Sequence, residues 1–383
     1  MGDPCPSDCA TLRWVRALTI LQAVCAGVVL TRLARGRRRR PPLAAGEWPL
    51  AARRPRISVV VPARDEAARI GPCLAGLAGD PDVDEVLVVD DRSADSTADV
   101  AAAAGARVVP GVDPPEGWVG KPWALQQGLS AASGDVVVSL DADTRPRPGL
   151  VGALARALDT ADLVTCSARF VCDGGAERAL HAAMLTTLVY RYGPADATTP
   201  PALDRLISNG QCTAVRREPL LAAGGYAPAA ANMTDDAAFA RARAADGWRV
   251  VFRDGTALLD VKMHESAAET WREWGRSIAL TDVTSPWRRA TDLLVVWTTL
   301  ALPVLRIATG APTRLDVGLI ALRVALLGAL RGTYDRRGAP FWLSPLADPL
   351  AAVRLSLSAL RPPRVWRGRR YGPEARPRRT ARR

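Results

Sequence analysis

The sequence predicts an α/β fold with a mostly parallel sheet, flanked at both ends by membrane-associated helices. Short Val-rich runs alternate with helical stretches between residues 57 and 170, which is typical of parallel strands covered by helices on both faces. Apolar segments lie before and after this region, and each is followed by a run of arginines. This combination predicts a folded α/β domain that is held at a membrane surface.

Six strands and four helices are predicted in the central region. The strands are 57–62, 85–91, 106–111, 135–143, 162–170 and 248–255. The helices, which fall between the first five strands, are 67–77, 96–104, 123–132 and 149–158. Ligands of such sheets bind at the carboxyl ends of the strands, so the residues that follow each Val-rich run are the first candidates for a site.

Five segments follow from the apolar and basic patterning. They are an N-terminal membrane anchor (1–35), a basic linker (36–56), a catalytic domain (57–280), C-terminal transmembrane or interfacial helices (290–360) and a basic tail (361–383). The arginines come after the first apolar stretch, the wrong order for a cleaved signal peptide. The positive-inside rule therefore predicts a multi-pass protein of the plasma membrane with its catalytic domain in the cytoplasm. Helices of a soluble domain are the alternative for 290–360.

The positive charge is confined to two stretches. The chain has 51 Lys+Arg and 39 Asp+Glu, a net charge of +12, and residues 32–56 and 361–383 carry +8 and +9 of it. The remainder carries −5, which argues against a nucleic-acid groove and favours an anionic membrane surface as partner. Seven cysteines without a CxxC pair and two histidines exclude a zinc framework, although Cys5 and Cys9 could pair in an extracytoplasmic N-terminus.

Carboxylates follow the predicted strands. Asp90 and Asp91 end the second strand, and Asp141 and Asp143 end the fourth. In an extended strand, residues i and i+2 point the same way, so we expect Asp141 and Asp143 to project together into the crevice. Hard carboxylate oxygens in that position suit Mg²⁺ or Mn²⁺ holding a diphosphate.

Other polar residues lie between and after these strands. Lys121 stands in GWVGKPWAL, where Pro122 excludes a Walker A loop, and it could contact a phosphate or be a solvated loop residue. Asp235 and Asp236 follow Thr234 at a predicted helix start, where the helix dipole alone would also favour acids.

The segment WREWGR, residues 271–276, places Trp274 and Arg276 together on a predicted helix. The two side chains could bind a sugar face and a diphosphate, or form an interfacial belt before the second membrane segment.

Seven blocks in this order resemble inverting family-two glycosyltransferases of the GT-A fold, a Rossmann-like architecture. They are VPARDE, VVDDRSADST, GWVGKPWALQQG, LDADT, SNGQCTAVRREPLLAAGGY, TDDAAFARARAADGW and WREWGR. The anchor, GWVGKPWA and the ending DPLAAVRLSLSALRPPRVWRGRRY look like bacterial membrane enzymes that glycosylate isoprenoid lipids, notably carotenoid and hopanoid-associated glycosyltransferases. The resemblance implies transfer of one sugar from a nucleotide sugar, UDP-linked in this interpretation, to a membrane lipid with the help of Mg²⁺ or Mn²⁺.

The resemblance also implies roles on the donor side. Pro62, Arg64 and Glu66 would line the nucleoside pocket, and Asp91 would accept a hydrogen bond from the uracil N3–H. Lys121 would sit near the ribose or the diphosphate.

Further roles concern the reacting groups. Asp141 would contact the ribose and Asp143 would bind the metal. Arg276 would help to stabilise the departing diphosphate, and Trp274 beside it would belong to the nucleotide-sugar site. The family's T-E-D motif maps onto residues 234–236, so Asp236 would be the general base, with Asp235 in place of the usual Glu.

Alternatives stay open. The Q-x-x-R-W motif of processive polysaccharide synthases is absent, which argues against polymer synthesis. A polyprenyl-phosphate sugar synthase would share the fold and the donor, and a nucleotide-sugar-binding membrane scaffold is the alternative without enzymatic activity. We interpret His264 as a structural histidine with satisfied hydrogen bonds, and a third metal ligand is the other interpretation.

Overall fold

The computed structural model describes the backbone of residues 6–48, 53–361, 365–366 and 369–370, and the side chains of these residues except 6–15, 276 and 365–370. Cys5, the side chain of Cys9, the side chain of Arg276 and most of the basic tail therefore lie outside the described residues.

The described residues form twelve strands and fifteen α-helices. The strands are β1 Ile57–Ala63, β2 Glu85–Asp90, β3 Arg107–Pro110, β4 Val136–Leu140, β5 Thr144–Pro146, β6 Leu163–Cys166, β7 Arg169–Phe170, β8 Cys212–Arg216, β9 Val250–Arg253, β10 Leu259–Val261, β11 Val365–Trp366 and β12 Arg369–Arg370. The helices are α1 Pro6–Ala34, α2 Ile70–Leu77, α3 Thr97–Ala103, α4 Gly120–Ala131, α5 Leu150–Ala157, α6 Gly175–Tyr192, α7 Arg217–Ala222, α8 Asp235–Ala245, α9 Ala267–Arg272, α10 Trp274–Ser277, α11 Pro286–Val296, α12 Leu302–Ala308, α13 Arg314–Leu330, α14 Gly338–Trp342 and α15 Asp348–Leu360.

The main sheet has seven strands in the order β3-β2-β1-β4-β8-β6-β9, and all except β8 run parallel. Its Val-rich central strands are buried because helices pack on both faces, which confirms the α/β prediction. The chain moves outward from β1 to β3 and then returns to place β4 on the other side of β1. The topological switch point between β1 and β4 is where a ligand crevice is expected in such a sheet.

The antiparallel strand β8 was not predicted, and it shapes the crevice. Cys212, its first residue, pairs with Leu140, the last residue of β4. The residues before β8 therefore lie beside those after β4, and the Asp141 amide donates to the carbonyl oxygen of Gln211 at 3.0 Å. A small second sheet, β5-β10-β7, was also not predicted.

One prediction about this edge is wrong. The fourth strand ends at Leu140, so Asp141 and Asp143 lie in the turn between β4 and β5 and do not alternate along an extended strand. The amide and hydroxyl of Thr144 donate to the Asp141 carbonyl oxygen at 3.1 and 2.7 Å, which closes the turn.

The C-terminal helices share a core with the catalytic domain. Met184 and Tyr190 of α6 are buried in the same apolar cluster as Val296 of α11 and Ala351 of α15. A single π-helical turn, Trp297–Ala301, joins α11 to α12.

Two helical stretches are long and apolar enough to cross a membrane by length and composition, 16–37 and 286–308. Within the fold, 22% of the first stretch's apolar window and 44% of the second's are buried. Core helices of soluble proteins and signal sequences share this length and composition, so the stretches are weak support for membrane association. Large apolar side chains are exposed on them and on the neighbouring helices, including Ile20, Trp287 and Leu350.

Candidate active site

An ion pair of partly buried side chains stands at the carboxyl edge of the sheet. Lys121, the second residue of α4, contacts Asp141 in the turn after β4, with 2.6 Å between Nζ and Oδ1, and also donates to the Gly210 carbonyl oxygen at 3.3 Å. Burial lowers the pKa of Lys121, but the carboxylates of Asp141, Asp235 and Asp236 outweigh it and raise that pKa above its usual value. The lysine is therefore held in its charged form among acids.

Asp236 lies in the first turn of α8. Its Oδ2 accepts the Gly210 amide N–H at 3.0 Å, and its Oδ1 accepts the amide N–H of Ala237 at 2.7 Å. Gly210 thus joins the carboxylate on α8 to the lysine on α4. The close approach requires glycine, because a Cβ at this position would stand 2.9 Å from the Cβ of Asp236 and 3.3 Å from Nζ of Lys121.

The helix start around Asp235 matches the prediction in position but not in its capping bond. Thr234 is the N-cap residue, yet its hydroxyl and amide both donate to Asp282, and its side chain caps no amide of α8. Burial raises the pKa of Asp235 to about 7, with Lys121 opposing the shift and Asp236 adding to it. Burial also raises the pKa of Asp236.

Asp143 is a second acid of this edge whose charged form is disfavoured. Burial raises its pKa to about 7, and the negative charges of Asp141 and Glu66 add to the shift, while Lys121 and Arg69 oppose it. Its Oδ1 is buried and has no hydrogen-bond partner among the described residues. A position that concentrates negative charge and leaves a carboxylate oxygen unpaired is suited to a cation.

Pro62, Arg64, Glu66 and Asp91 lie together where β1 and β2 end. Asp91 is 3% exposed, and Arg64 approaches its carboxylate at 3.8 Å while donating to its carbonyl oxygen at 3.0 Å. Pro62 pairs in register with Val89 of β2, and the Glu66 amide donates to a threonine hydroxyl on the neighbouring loop at 2.9 Å. The four residues form one continuous patch beside the acids of the β4 turn.

The segment that carries Trp274 does not form a single helix, and the role of Trp274 toward the donor stays a prediction. The segment 271–276 is split between α9 and α10, and the Trp274 ring stacks on His181 of α6 with the centroids 4.3 Å apart. His181 in turn contacts the Tyr334 hydroxyl through Nδ1 at 2.8 Å. The indole is therefore held in an aromatic cluster that connects α10 to the C-terminal helices. The role of Arg276 stays a prediction, because its side chain is outside the described residues.

His264 follows β10 and is 6% exposed. Neither ring nitrogen has a hydrogen-bond partner within the described part of the chain, so the structure does not provide the bonds expected of a structural histidine. Burial lowers its pKa to about 4, Arg69 adds to the shift, and Glu269 opposes it. The ring is neutral at physiological pH, the form in which histidine binds metals.

Sequence analysis missed several residues of this region. Gly210 had no assigned role, although a glycine between Asn209 and Gln211 just before a strand is a signal for close backbone approach. Arg69 pairs with Glu66 at 3.7 Å and with Glu269 of α9 at 3.9 Å. Its spacing of three residues from Glu66 was a local signal, whereas the contact with α9 depends on the fold.

The described residues contain no group of three or more His, Cys, Asp or Glu side chains at metal-binding spacing. Asp143 and His264 are thus two single candidates for metal ligands. The backbone before His264 reaches Asp143, because the Lys262 amide donates to the Asp143 carbonyl oxygen at 3.3 Å.

Comparisons with known proteins agree with this architecture. Residues 58–221 match the family model of Glycosyl transferase family 2. Over 88 residues the chain is 39% identical to 4,4'-diaponeurosporenoate glycosyltransferase of Staphylococcus aureus, covering 23% of this chain and 24% of the relative. The alignment therefore spans about a quarter of the length of that curated relative.

Solved structures resemble this chain in fold over most of its length, although their sequence identity to it is low. The mannosyltransferase PcManGT from Pyrobaculum calidifontis, solved with GDP-Man and Mn²⁺, has a TM-score of 0.55 at 20% identity, over 90% of this chain and 97% of that one. Glucosyl-3-phosphoglycerate synthase from Mycobacterium tuberculosis, solved with Mn²⁺, UDP and phosphoglyceric acid, has a TM-score of 0.44 at 24% identity, over 64% of this chain and 86% of that one.

The fold and the family match define a glycosyltransferase of the GT-A fold. Residues 58–221 match glycosyl transferase family 2, and over 88 residues the chain resembles a carotenoid glycosyltransferase. Both the expected family and the expected enzyme class are confirmed.

Proposed function

We propose that this protein is a membrane-bound inverting glycosyltransferase that moves one sugar from a UDP-sugar to an isoprenoid-type lipid. The observation that carries the proposal is the arrangement of Lys121, Asp141, Gly210 and Asp236 at the switch point of the sheet. It places a fixed positive charge and a carboxylate side by side, both bonded to the backbone of Gly210. A diphosphate needs the positive charge, and an attacking hydroxyl needs the carboxylate.

The donor would bind along the ends of β1, β2 and β4. Asp91, nearly buried and next to Arg64, supplies acceptor oxygens for a base N–H at the floor of the crevice, with Pro62 and Glu66 beside it. Asp141 would contact the ribose. Lys121 would hold the diphosphate as a point charge without moving, because Asp141 already fixes its position.

A divalent cation fits this edge, and Asp143 is its best-supported protein ligand. The unpaired, buried Asp143 Oδ1 supplies a hard oxygen, and the neutral His264, also without hydrogen bonds among the described residues, is a candidate for a further ligand. Two relatives in fold were solved with Mn²⁺. When bound, Mg²⁺ or Mn²⁺ would offset the negative charge that develops on the departing diphosphate. Arg276 would add a second positive charge there.

Asp236 would act as the general base. Its carboxylate is fixed by two backbone N–H groups and faces the lysine across Gly210, so it is oriented before the acceptor arrives. It would take the proton of an acceptor hydroxyl as the oxygen attacks the anomeric carbon and the bond to the diphosphate breaks. One displacement inverts the configuration. A carboxylate acceptor would need no base.

The acceptor assignment is supported by the carotenoid glycosyltransferase relative and by the placement of the site. The two candidate spans flank the catalytic domain, and α10, with Trp274, packs against the C-terminal helices through the aromatic cluster. A multi-pass arrangement with the domain on the cytoplasmic side and contact with anionic lipids would bring the crevice near a lipid acceptor. A soluble acceptor would gain nothing from this attachment.

The test is a transfer assay on the detergent-solubilised full chain. UDP-[¹⁴C]glucose would be offered with extracted host lipids or with soluble sugars, and GDP-[¹⁴C]mannose would serve as the alternative donor. We expect label from the UDP-sugar in the organic phase only when lipids are present. Label that stays in the aqueous phase would favour a polysaccharide or protein acceptor. Organic-phase label released by mild acid would indicate a polyprenyl phosphate acceptor instead.

A further inference from the structure

A cleft lies between the basic linker and the catalytic domain, away from the residues of the proposed active site. Its mouth is open to solvent, and twelve residues line it. Arg35 at the end of α1, Arg40 in the linker, Tyr192 at the end of α6 and Arg205 supply all of its polar side chains. The other eight lining residues are apolar, so the cleft combines hydrogen-bond donors with an apolar wall and has no acidic side chain.

Two donors in its wall are buried and unused. Tyr192 is 3% exposed, and its hydroxyl has no hydrogen-bond partner in the described part of the chain. The same holds for Nη2 of Arg205, whose Nη1 contacts the two carboxylate oxygens of Asp292 at 2.7 and 2.8 Å. A buried donor without an acceptor destabilises the fold, and a ligand that brings acceptor oxygens removes this cost.

Carbonyl oxygens hold the remaining guanidinium groups, and the Asp196 carboxylate also acts on Arg40. Arg35 donates to the carbonyl oxygens of Tyr192 and Thr199 at 3.4 and 3.0 Å. Arg40 donates to the carbonyl oxygens of Ala197 and Thr198. Neutral carbonyls fix both guanidinium groups without cancelling their charge. Planar guanidinium groups held in this way are suited to the oxygens of a phosphate.

The cleft also lies where the two candidate membrane spans meet the catalytic domain. Arg35 is close to the end of the first span, 16–37. Asp292, the partner of Arg205, is close to the start of the second, 286–308, and faces Arg32 of the first at 3.7 Å. The ends of membrane spans lie at the level of the lipid headgroups.

We propose that this cleft binds the phosphate of an anionic phospholipid, with the three arginines and the Tyr192 hydroxyl on its oxygens. The apolar wall would contact the glycerol and the first acyl carbons. The inference rests on the membrane attachment in the proposed function, but it does not depend on the transfer reaction.

The experiment measures lipid binding to the full chain in a neutral detergent by native mass spectrometry. The probes are dioleoyl phosphatidylglycerol, dioleoyl phosphatidylcholine and inorganic phosphate. The test variant combines Arg35→Gln with Arg40→Gln. The matched control combines Arg37→Gln with Arg38→Gln, which removes the same charge from exposed arginines of the same segment outside the cleft. Tyr192→Phe removes only the hydroxyl and keeps the packed ring.

We expect one phosphatidylglycerol per chain, held more tightly than phosphatidylcholine. The test variant should weaken its binding by about tenfold or more, because charge-assisted contacts are lost. The control variant should stay within about twofold, since exposed charges contribute little. Tyr192→Phe should weaken binding measurably without altering the melting temperature by more than a few degrees, so an effect of misfolding would be recognised.

Several results would overturn the proposal. An equal loss of lipid affinity in both double variants would mean diffuse attraction to the basic segment. Unchanged lipid affinity in both double variants, or in Tyr192→Phe, would mean that the lipid binds elsewhere. Displacement of the lipid by an equal concentration of inorganic phosphate would identify a site for soluble anions. The lipid-binding result can be separated from the enzyme assignment. If the protein transfers sugar to lipid but all variants bind phosphatidylglycerol as the parent does, only this site is rejected. Cleft-dependent lipid binding without transfer rejects only the proposed function.

Discussion

The carboxylate of Asp236 provides the most direct test of the proposed chemistry. Asp236→Asn keeps the shape of the side chain and removes its capacity to accept a proton. Loss of a general base lowers kcat by about 10²- to 10⁴-fold. This range corresponds to about 2.7–5.5 kcal/mol of transition-state stabilisation.

The same substitution has a structural cost that follows from its contacts. The two oxygens of Asp236 accept the amide N–H groups of Gly210 and Ala237 at 3.0 and 2.7 Å. Asparagine has one acceptor oxygen, so one of these N–H groups would face its NH₂ group, at a cost of about 1–3 kcal/mol. The melting temperature should fall by a few degrees, since about 1 kcal/mol shifts it by roughly 2–4 °C in a domain of this size. The affinity for UDP should stay nearly unchanged.

The assay measures kcat and KM for the UDP-sugar, UDP binding by calorimetry and the melting temperature on the same preparations. Asp246→Asn is the control, because it removes the same charge from the exposed C-terminal end of α8, where Asp246 pairs with Arg243 at 3.0 Å. A kcat within tenfold of the parent would refute the role of a base. A loss of UDP affinity as large as the loss of kcat would make Asp236 part of the donor site.

Three further predictions concern other parts of the molecule. Asp143→Asn should lower turnover by orders of magnitude and weaken metal-supported UDP binding, because it removes the charge of the unpaired carboxylate. Near-normal turnover of the parent enzyme in EDTA would contradict metal dependence. Gly210→Ala should reduce kcat, because its Cβ would stand 2.9 Å from the Cβ of the proposed base, whereas Gly71→Ala, with no atom within 4 Å of the added Cβ, should be neutral in the same transfer assay. Topology reporters fused after Arg40 and after Arg383 should both give cytoplasmic signals, since both segments are strongly basic, and a periplasmic signal after Arg383 would mean an odd number of C-terminal crossings.

The local pattern of the sequence was sufficient for the class of fold. Runs such as 57–62 and 135–140 consist largely of Val and Ile between helical stretches, and only a parallel sheet covered on both faces buries such runs completely. The strand ends then located the acids at 91, 141 and 143, because ligands bind at the carboxyl edge whatever the details of the loops. The acids 235 and 236 could be assigned to a helix start from their position after a threonine.

The tertiary structure alone decided how these residues meet. The antiparallel strand β8 brings Gly210 between Lys121 and Asp236, and its pairing of Cys212 with Leu140 depends on contacts between residues about seventy positions apart. Local periodicity contains no information about such pairing. The turn that holds Asp141 and Asp143 is closed by local bonds, but its position also depends on long-range ones, from the Asp141 amide to Gln211 and from the Lys262 amide to Asp143.

The same reason applies away from the crevice. The motif of Trp274 left open a contact with the donor or with the membrane interface, whereas its stacking on a ring of α6, 93 residues earlier in the chain, is decided by the tertiary structure. The arginines of residues 32–56 indicated only an affinity for anionic surfaces until folding placed Arg35 and Arg40 beside Tyr192 and Arg205. Residue types and spacing thus determined which chemistry the chain carries, while long-range packing, which no short stretch of sequence encodes, determined where each group acts.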